Sequence, residues 1–211
     1  MRTICVPVTA MRENAYIFYD ETTGDGVVID PGGEPEKLTA AIEREGICVR
    51  AILLTHGHCD HIGAVPDLKK IYDAPVVCGD GESPFLEDPG LNMSVRFGET
   101  VSFTPDRTVY DGELLEYAGV RFAVIHTPGH TPGGCCYHCG EEKILFSGDT
   151  LFNNSIGRSD FYLGDHDALI NGIVNKLYAL PDDTAVLPGH GDATAIGREK
   201  KVNPFTKKII R

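Results

Sequence analysis

The chain has 211 residues, of which 42% are hydrophobic, and this is enough to bury one core but too few for two. It carries 19 basic and 31 acidic residues, for a net charge of −12. A nucleic-acid partner requires clustered Lys and Arg that neutralise phosphates, so the charge disfavours such a partner and favours a small-molecule substrate. We therefore predict a single domain over residues 1–211.

The sequence also predicts a location. Residues 1–8 are too short and too interrupted for a secretory signal, and no run approaches the roughly 18 apolar residues of a membrane span. The chain has seven cysteines, which is an odd number, and their spacing is not typical of disulfides. This favours a reducing compartment. We expect a cytoplasmic protein that contacts no membrane.

Apolar patterns predict a chain in which short strands are mixed with amphipathic helices. The strands are short apolar runs, and the helices have apolar residues at a spacing of three and four. In chain order, we predict strands at 14–19 and 26–29, a helix at 34–45, a strand at 51–55, a helix at 62–72, strands at 122–125 and 144–146, a helix that begins at Asp165 or Asp167 and ends before Pro181, and a strand at 185–187.

Residues 78–101 show no clear periodicity and include several large apolar side chains, among them Phe85, Leu86, Met93 and Phe97. Long irregular segments are often functional, so this one could form a lid that carries these side chains to the apolar part of a substrate. A surface cover over the second sheet is the equally weighted alternative.

Four of the predicted strands share one design. Each ends in a turn that contains glycine and bears a side chain of the kind that binds metals. Rigid sheets commonly hold functional residues on the loops at their strand ends, so four such turns indicate one shared site. The turns that follow these strands are 56–61, 126–130, 147–149 and 188–190.

The first of these turns places four potential metal ligands within six positions: His56, His58, Asp60 and His61. In an extended stretch, residues i and i+2 project the same way, so His56 and His58 can reach one metal. The chain then turns, and Asp60 and His61 can reach a second metal. Imidazole and carboxylate ligands suit Zn²⁺, Fe or Mn²⁺, with zinc as the first choice.

Four ligands on one loop cannot enclose two metals, so the three later turns must supply the others. The only carboxylate among those three turns has two oxygens and can bridge the metals. The predicted ligands are His56, His58 and His130 for the first metal, Asp60, His61 and His190 for the second, and Asp149 between them. The remaining histidines, His126, His138 and His166, have no such neighbours, and we expect ordinary structural positions for them.

With these motifs the sequence resembles the metallo-β-lactamase superfamily. The matching segments are THGHCDH (55–61), TPGHT (127–131), SGDT (147–150) and PGHG (188–191), and VIDPG (28–32) also fits. The resemblance implies an α/β fold, a four-layer αββα sandwich of two mixed β-sheets with helices on the outer faces. It also implies the same division of ligands between two divalent metal ions.

Within the superfamily the sequence is most similar to glyoxalase II and its short stand-alone relatives, which hydrolyse thioesters of the hydroxyacylglutathione kind. The stretch DTLFNNSIGRSDF (149–161) resembles the segment that carries a basic glutathione contact there, and this implies that role for Arg158. A guanidinium can hold a carboxylate bidentately. The equally weighted alternative is that Arg158 braces the loop.

We expect no C-terminal helical substrate domain, because the chain ends soon after His190, and broader substrate recognition would follow.

The expected reaction is attack on the thioester carbonyl by a hydroxide that bridges the metals, with Asp60 orienting this hydroxide and accepting its proton. A thiol has a pKa of about 8.5, so the thiolate leaves without a proton.

Three other reactions compete with thioester hydrolysis. A persulfide dioxygenase of the same superfamily would hold one iron at His56, His130 and Asp149, and segment 157–161 resembles those enzymes as well. A β-lactamase is disfavoured because that class needs a signal peptide. A phosphodiesterase is disfavoured by the net charge of −12.

Overall fold

Each half of the chain contributes one six-stranded sheet to the computed structural model, which describes residues 1–98 and 100–207. The first sheet has the order β1-β2-β3-β4-β5-β6, antiparallel from β1 to β3 and parallel from β3 to β6. In chain order, the elements of this half are β1 (Arg2–Val8), β2 (Glu13–Tyr19), β3 (Asp25–Ile29), α1 (Pro35–Glu45), β4 (Cys48–Leu54), α2 (Cys59–Ile62), α3 (Val65–Tyr72), β5 (Val76–Gly79), α4 (Ser83–Glu87) and β6 (Arg107–Val109).

The second sheet is built by the C-terminal half. Its elements are β7 (Leu114–Tyr117), β8 (Val120–His126), β9 (Cys135–Cys139), β10 (Ile144–Gly148), the small hairpin β11 (Leu151–Phe152) and β12 (Ser155–Ile156), α5 (His166–Asn175), β13 (Ala185–Pro188), β14 (Thr194–Ala195) and α6 (Ile196–Val202). The sheet order is β14-β13-β10-β9-β8-β7, in which only the β10–β13 pair is parallel.

The two sheets pack face to face, and helices cover their outer faces. Successive side chains of a strand point to opposite faces, so β2 contributes to two cores. Ile17 lies in the core beneath α1 and α3, whereas Phe18 packs between the sheets, with its ring centroid 5.9 Å from that of Phe122 and 5.5 Å from that of Phe146. A third core lies between the second sheet and α5. The four-layer αββα sandwich predicted from the sequence is confirmed.

The outer helices are short and amphipathic. Helix α1 has 11 residues, buries Leu38, Ala41 and Ile42, and ends at Gly46 in a left-handed conformation with φ 66°. Within residues 1–98 and 100–207, no helix combines the length and apolar character that crossing a membrane would need.

The predicted start of the helix at 62–72 is wrong. The short α2 ends at Ile62, and α3 begins at Val65 because Pro66 is compatible only with the first turn of a helix. Strand β1 was not predicted, since its burial alternates only at its end.

The segment 78–101 is more regular than its sequence suggests. Glu99 lies outside the described residues. The segment contains α4 and a 3₁₀ helix at Ser94–Phe97. Leu86 is buried in the core under the first sheet, whereas Phe97 is 56% exposed. Phe85 is buried with its ring centroid 5.9 Å from that of His58. This packing favours a cover over a lid, with Phe85 as its contact to the ligand loop. The prediction that the segment covers the second sheet is wrong, because Leu86 packs in the core of the first sheet.

Candidate metal centre

The strands that carry the predicted ligands end at one edge of the sandwich. Strand β4 of the first sheet leads into the turn at 56–61, and β8, β10 and β13 of the second sheet lead into the other three turns. Strands β8, β10 and β13 run in the same direction, because β9 is antiparallel to both β8 and β10, and β10 is parallel to β13. The Tyr137 hydroxyl donates to the Leu54 carbonyl over 2.9 Å and joins the two sheets near this edge.

Gly148 allows a close approach between the two sheets at this edge. Its φ is +46°, and a Cβ at this position would lie 2.0 Å from Oγ1 of Thr55. A side chain therefore cannot fit there without displacing the turn that precedes Asp149. The Gly148 carbonyl also accepts a 2.9 Å hydrogen bond from the N–H of Gly189, which ties the Asp149 turn to the His190 turn.

The first predicted ligand set comes together as a group of three imidazoles. Nε2 of His130 lies 2.9 Å from Nδ1 of His58 and 3.2 Å from Nε2 of His56. Burial, together with the charge of neighbouring histidines, lowers the pKa of His56 well below its usual range and lowers that of His58 to about 3. The imidazoles are therefore neutral at pH 7, with lone pairs available to a cation.

The second set, Asp60, His61 and His190, lies beside the first. Oδ2 of Asp60 is 3.2 Å from Nε2 of His190 and 4.0 Å from Nε2 of His61. Asp149 stands between the two sets, with Oδ1 3.3 Å from Nε2 of His61 and Oδ2 3.6 Å from Nε2 of His130. All seven predicted ligands thus lie close together. His56, His58 and His130 form one potential metal-binding group, Asp60, His61 and His190 form another, and Asp30 forms a third with His56 and His61, which was not predicted.

The residues of this centre fit bound cations. Nε2 of His61 and Oδ1 of Asp149 are buried, and neither makes a hydrogen bond to another group in the described part of the chain. Buried polar atoms without partners are costly, and a cation between these atoms would satisfy both. Burial acts to raise the pKa of Asp149, but the interactions with His61, His130 and His190 together outweigh burial and lower this pKa, so the carboxylate is ionised. The centre is a His and Asp metal-binding cluster.

Asp30 supports this centre from behind, a role that the sequence analysis did not assign. Its Oδ2 lies 3.0 Å from Nδ1 of His61 and accepts a 2.6 Å hydrogen bond from the Thr55 hydroxyl. Such a carboxylate orients the imidazole and increases its basicity. Asp30 follows the buried strand β3 directly, and this pattern, shared with the four ligand turns, could have identified it.

The segment around Arg158 contacts the first ligand set through its backbone and through Phe161. The Arg158 carbonyl accepts a 2.6 Å hydrogen bond from Nδ1–H of His130, which directs Nε2 of His130 into the centre. The ring centroid of Phe161 is 5.2 Å from that of His58. The Arg158 guanidinium donates two 2.9 Å hydrogen bonds to Asp160 on the exposed surface and lies 4.2 Å from the Phe161 centroid. Its predicted contact with substrate stays a prediction.

The remaining three histidines belong to none of the potential metal-binding groups in the described residues. His126 Nε2 donates to the Pro132 carbonyl over 3.0 Å, and His166 Nδ1 lies 3.1 Å from the Ser159 hydroxyl. His138 lies on β9. They occupy ordinary structural positions, as we expected.

Comparisons with known proteins agree with this fold. The family model of the metallo-beta-lactamase superfamily matches residues 8–190. Hydroxyacylglutathione hydrolase GloC from Haemophilus influenzae is 40% identical over 203 residues, which cover 95% of each chain. The crystal structure of the BLEG-1 B3 metallo-beta-lactamase has a TM-score of 0.92 and 41% identity, and it covers 97% of this chain and 99% of its own. The protein TTHA1623 in a di-iron-bound form has a TM-score of 0.84 and 40% identity, over 96% of this chain and 99% of its own. The chain therefore belongs to the metallo-β-lactamase superfamily and is one of its metal-dependent hydrolases.

Proposed function

We propose that the protein is a binuclear thioester hydrolase of the hydroxyacylglutathione hydrolase kind. The observation that carries the proposal is the pair of complete three-residue ligand sets with Asp149 between them. A single-metal enzyme would need only one set, so the second set of Asp60, His61 and His190 favours two ions over the one iron of a persulfide dioxygenase. The 40% identity with GloC over 95% of both chains supports the substrate class.

The proposed cofactors are two divalent ions, which the two ligand sets and Asp149 would hold. Zinc remains the first choice, and iron gains support from the di-iron form of TTHA1623. Two bound cations would supply a water that is ionised near neutral pH and a Lewis acid for the carbonyl oxygen of the substrate.

Asp60 is the residue that we propose to orient the attacking water. Burial acts to raise its pKa, but the charge of His61 and the hydrogen bond from His190 outweigh burial and lower it. Asp60 therefore stays ionised and accepts a hydrogen bond from the water. The departing thiolate needs no proton, so the reaction does not require a strong acid at this position.

The substrate would lie across the mouth of the centre. Phe161, half-buried beside His58 and His130, would contact its apolar part. Arg158 would release Asp160 and bind a carboxylate of the thiol portion of the substrate instead. The ion pair between Arg158 and Asp160 is exposed to solvent and therefore weak. The odd number of cysteines fits the reducing, cytoplasmic setting in which a glutathione thioester would be met.

β-Lactam hydrolysis is the second candidate, because the BLEG-1 B3 metallo-beta-lactamase is 41% identical and matches nearly the whole fold. β-Lactam hydrolysis would take place at the same metal centre. The two candidates differ only in the substrate that the surrounding loops accept.

Metal analysis combined with a substrate panel tests the proposal. Metal per chain is measured by mass spectrometry, and turnover is measured with lactoylglutathione, a simple thioester, a β-lactam and glutathione persulfide with an oxygen electrode. We expect about two metals per chain and the highest kcat/KM with lactoylglutathione. One iron per chain with oxygen uptake would contradict the proposal, and so would faster turnover of the β-lactam.

A further inference from the structure

A cavity of about 570 Å³ opens beside His190, the one predicted metal ligand among its lining residues. Its wall is formed by the β1–β2 turn, which carries Met11 and Arg12, and by the loop after His190, which carries Asp192. This volume lies within the range of small-molecule sites. A molecule that reacts at the centre can therefore extend into this space.

The two walls of the cavity are joined by hydrogen bonds. The side-chain amide of Asn14 donates to the carbonyls of Pro188 and Gly191 over 3.1 and 2.9 Å. The Tyr16 hydroxyl donates to the same Pro188 carbonyl over 2.7 Å. Glu13 forms a β-bridge with His190 itself. The β1–β2 turn is thus held at a constant position relative to a candidate metal ligand, as a recognition site requires.

Two opposite charges line the cavity without being paired. Of the nine arginines that the structure describes, seven form ion pairs with carboxylates. Arg12 has no carboxylate partner anywhere in residues 1–98 and 100–207, although the chain carries 31 acidic residues. Asp192 likewise has no cationic partner among these residues. The cavity therefore presents one guanidinium and one carboxylate, both available to a ligand.

We propose that this cavity binds the α-ammonium and α-carboxylate pair of an amino-acid end group on the thiol part of the substrate. Arg12 would receive the carboxylate through paired N–H donors, and Asp192 would receive the ammonium group. The inference rests on the proposed function, in which the thiol is glutathione, whose γ-glutamyl end carries this pair of charges. Arg158, beside the first ligand set, would then meet the glycine carboxylate at the other end.

Binding of thioethers, which the enzyme cannot hydrolyse, tests this subsite separately from catalysis. Three ligands are compared by calorimetry with the metal-loaded protein: S-methylglutathione, its N-acetyl derivative without the ammonium charge, and its 4-aminobutyryl analogue without the α-carboxylate. We expect Arg12→Gln to raise the Kd of S-methylglutathione about tenfold and to leave the Kd of the 4-aminobutyryl analogue unchanged. Asp192→Asn should likewise weaken S-methylglutathione and leave the N-acetyl derivative unchanged.

Matched controls and a separate activity assay complete the test. Arg96→Gln removes the other unpaired arginine of the described chain, and Asp73→Asn removes an exposed carboxylate outside the cavity. Neither should change any Kd. The subsite is overturned if wild-type protein does not bind S-methylglutathione, or if Arg12→Gln weakens all three ligands equally or none of them. Turnover of lactoylglutathione by the wild-type protein is scored independently, so loss of the proposed function and loss of the subsite give different results.

Discussion

Oδ2 of Asp30 lies 3.0 Å from Nδ1 of His61, so a carboxylate outside the seven predicted ligands positions one of those ligands. The ring therefore carries its proton on Nδ1 and presents Nε2 toward Asp149. The N–H of Thr55 donates to the other oxygen of Asp30 over 2.7 Å, which prevents the carboxylate from rotating away.

Asp30→Asn should weaken metal binding at the second set while the fold persists. Loss of such a supporting carboxylate commonly costs 10–100-fold in metal affinity, and we expect about that loss. Metal retained per chain, measured against graded concentrations of a chelator, gives the affinity. Asp73→Asn, on the surface at the end of α3, is the control. Retention equal to that of wild-type protein would show that Asp30 does not position His61.

Asp60→Asn should keep the fold and lower kcat with a thioester by at least about a hundredfold, because an amide cannot orient the attacking water as an ionised carboxylate does. The measurement is kcat at saturating substrate, with metal content and the thermal unfolding midpoint determined on the same samples. Wild-type kcat in a variant with full metal content would remove Asp60 from the mechanism.

Gly148→Ala should destabilise the protein much more than Gly112→Ala. Both glycines have positive φ, but a Cβ at Gly148 would meet Thr55 at 2.0 Å, whereas a Cβ at Gly112 would meet nothing within 4 Å. We expect a loss of about 3 kcal/mol or more in the free energy of unfolding at Gly148 and about 1 kcal/mol at Gly112. Urea denaturation in the presence of chelator measures both. Equal losses would mean that only backbone conformation matters at Gly148.

Glu82 should make stability depend on pH. It is buried behind the ligand loop, near the backbone of Gly57, and neither oxygen has a well-formed hydrogen bond within the described residues. Burial raises its pKa from 4.5 to about 7, an increase that the Thr131 hydroxyl only partly offsets. The folded protein therefore keeps a proton that the unfolded chain releases. This contribution to stability is present below pH 4.5 and is lost as the pH rises to about 7.

The Glu82→Gln variant isolates this contribution. Between pH 4.5 and 7.5 the wild-type protein should lose up to about 3 kcal/mol of unfolding free energy relative to the variant. Denaturation curves at a series of pH values give the difference. Glu141→Gln, at an exposed ion pair with Arg121, should show no such trend. A pH-independent difference between wild type and Glu82→Gln would mean that Glu82 is ionised in the folded protein.

Arg158→Gln tests the predicted substrate contact. If the guanidinium binds a glutathione carboxylate, KM for lactoylglutathione should rise about tenfold while KM for an uncharged thioester stays the same. Arg121→Gln provides a control at a distant surface ion pair. If both substrates instead lose kcat equally, Arg158 braces the loop that carries Phe161 and does not contact the substrate.

The candidate ligands and six of the strands were predictable because their signals are local. These strands are β2, β3, β4, β8, β10 and β13. At 185–190, for example, a short apolar run leads directly into a glycine and a histidine. Both the buried strand and the candidate ligand can therefore be recognised within six residues. The start of α3 was missed because the short α2 interrupts the apolar pattern before Pro66. The regularity of segment 78–101 was missed because its burial comes from contacts such as that of Leu86 with the first sheet's core.

The sequence by itself determined the superfamily, the sandwich and the seven candidate ligands, because their order and spacing are properties of the chain. Only the tertiary structure decided which charges are already engaged. It pairs Arg158 with Asp160, leaves Arg12 without a carboxylate beside the cavity, and brings Asp30 against His61. The physical reason is that an ion pair or a supporting hydrogen bond depends on distances of about 3 Å between residues that can be far apart in sequence, and only the packing of the two sheets sets these distances.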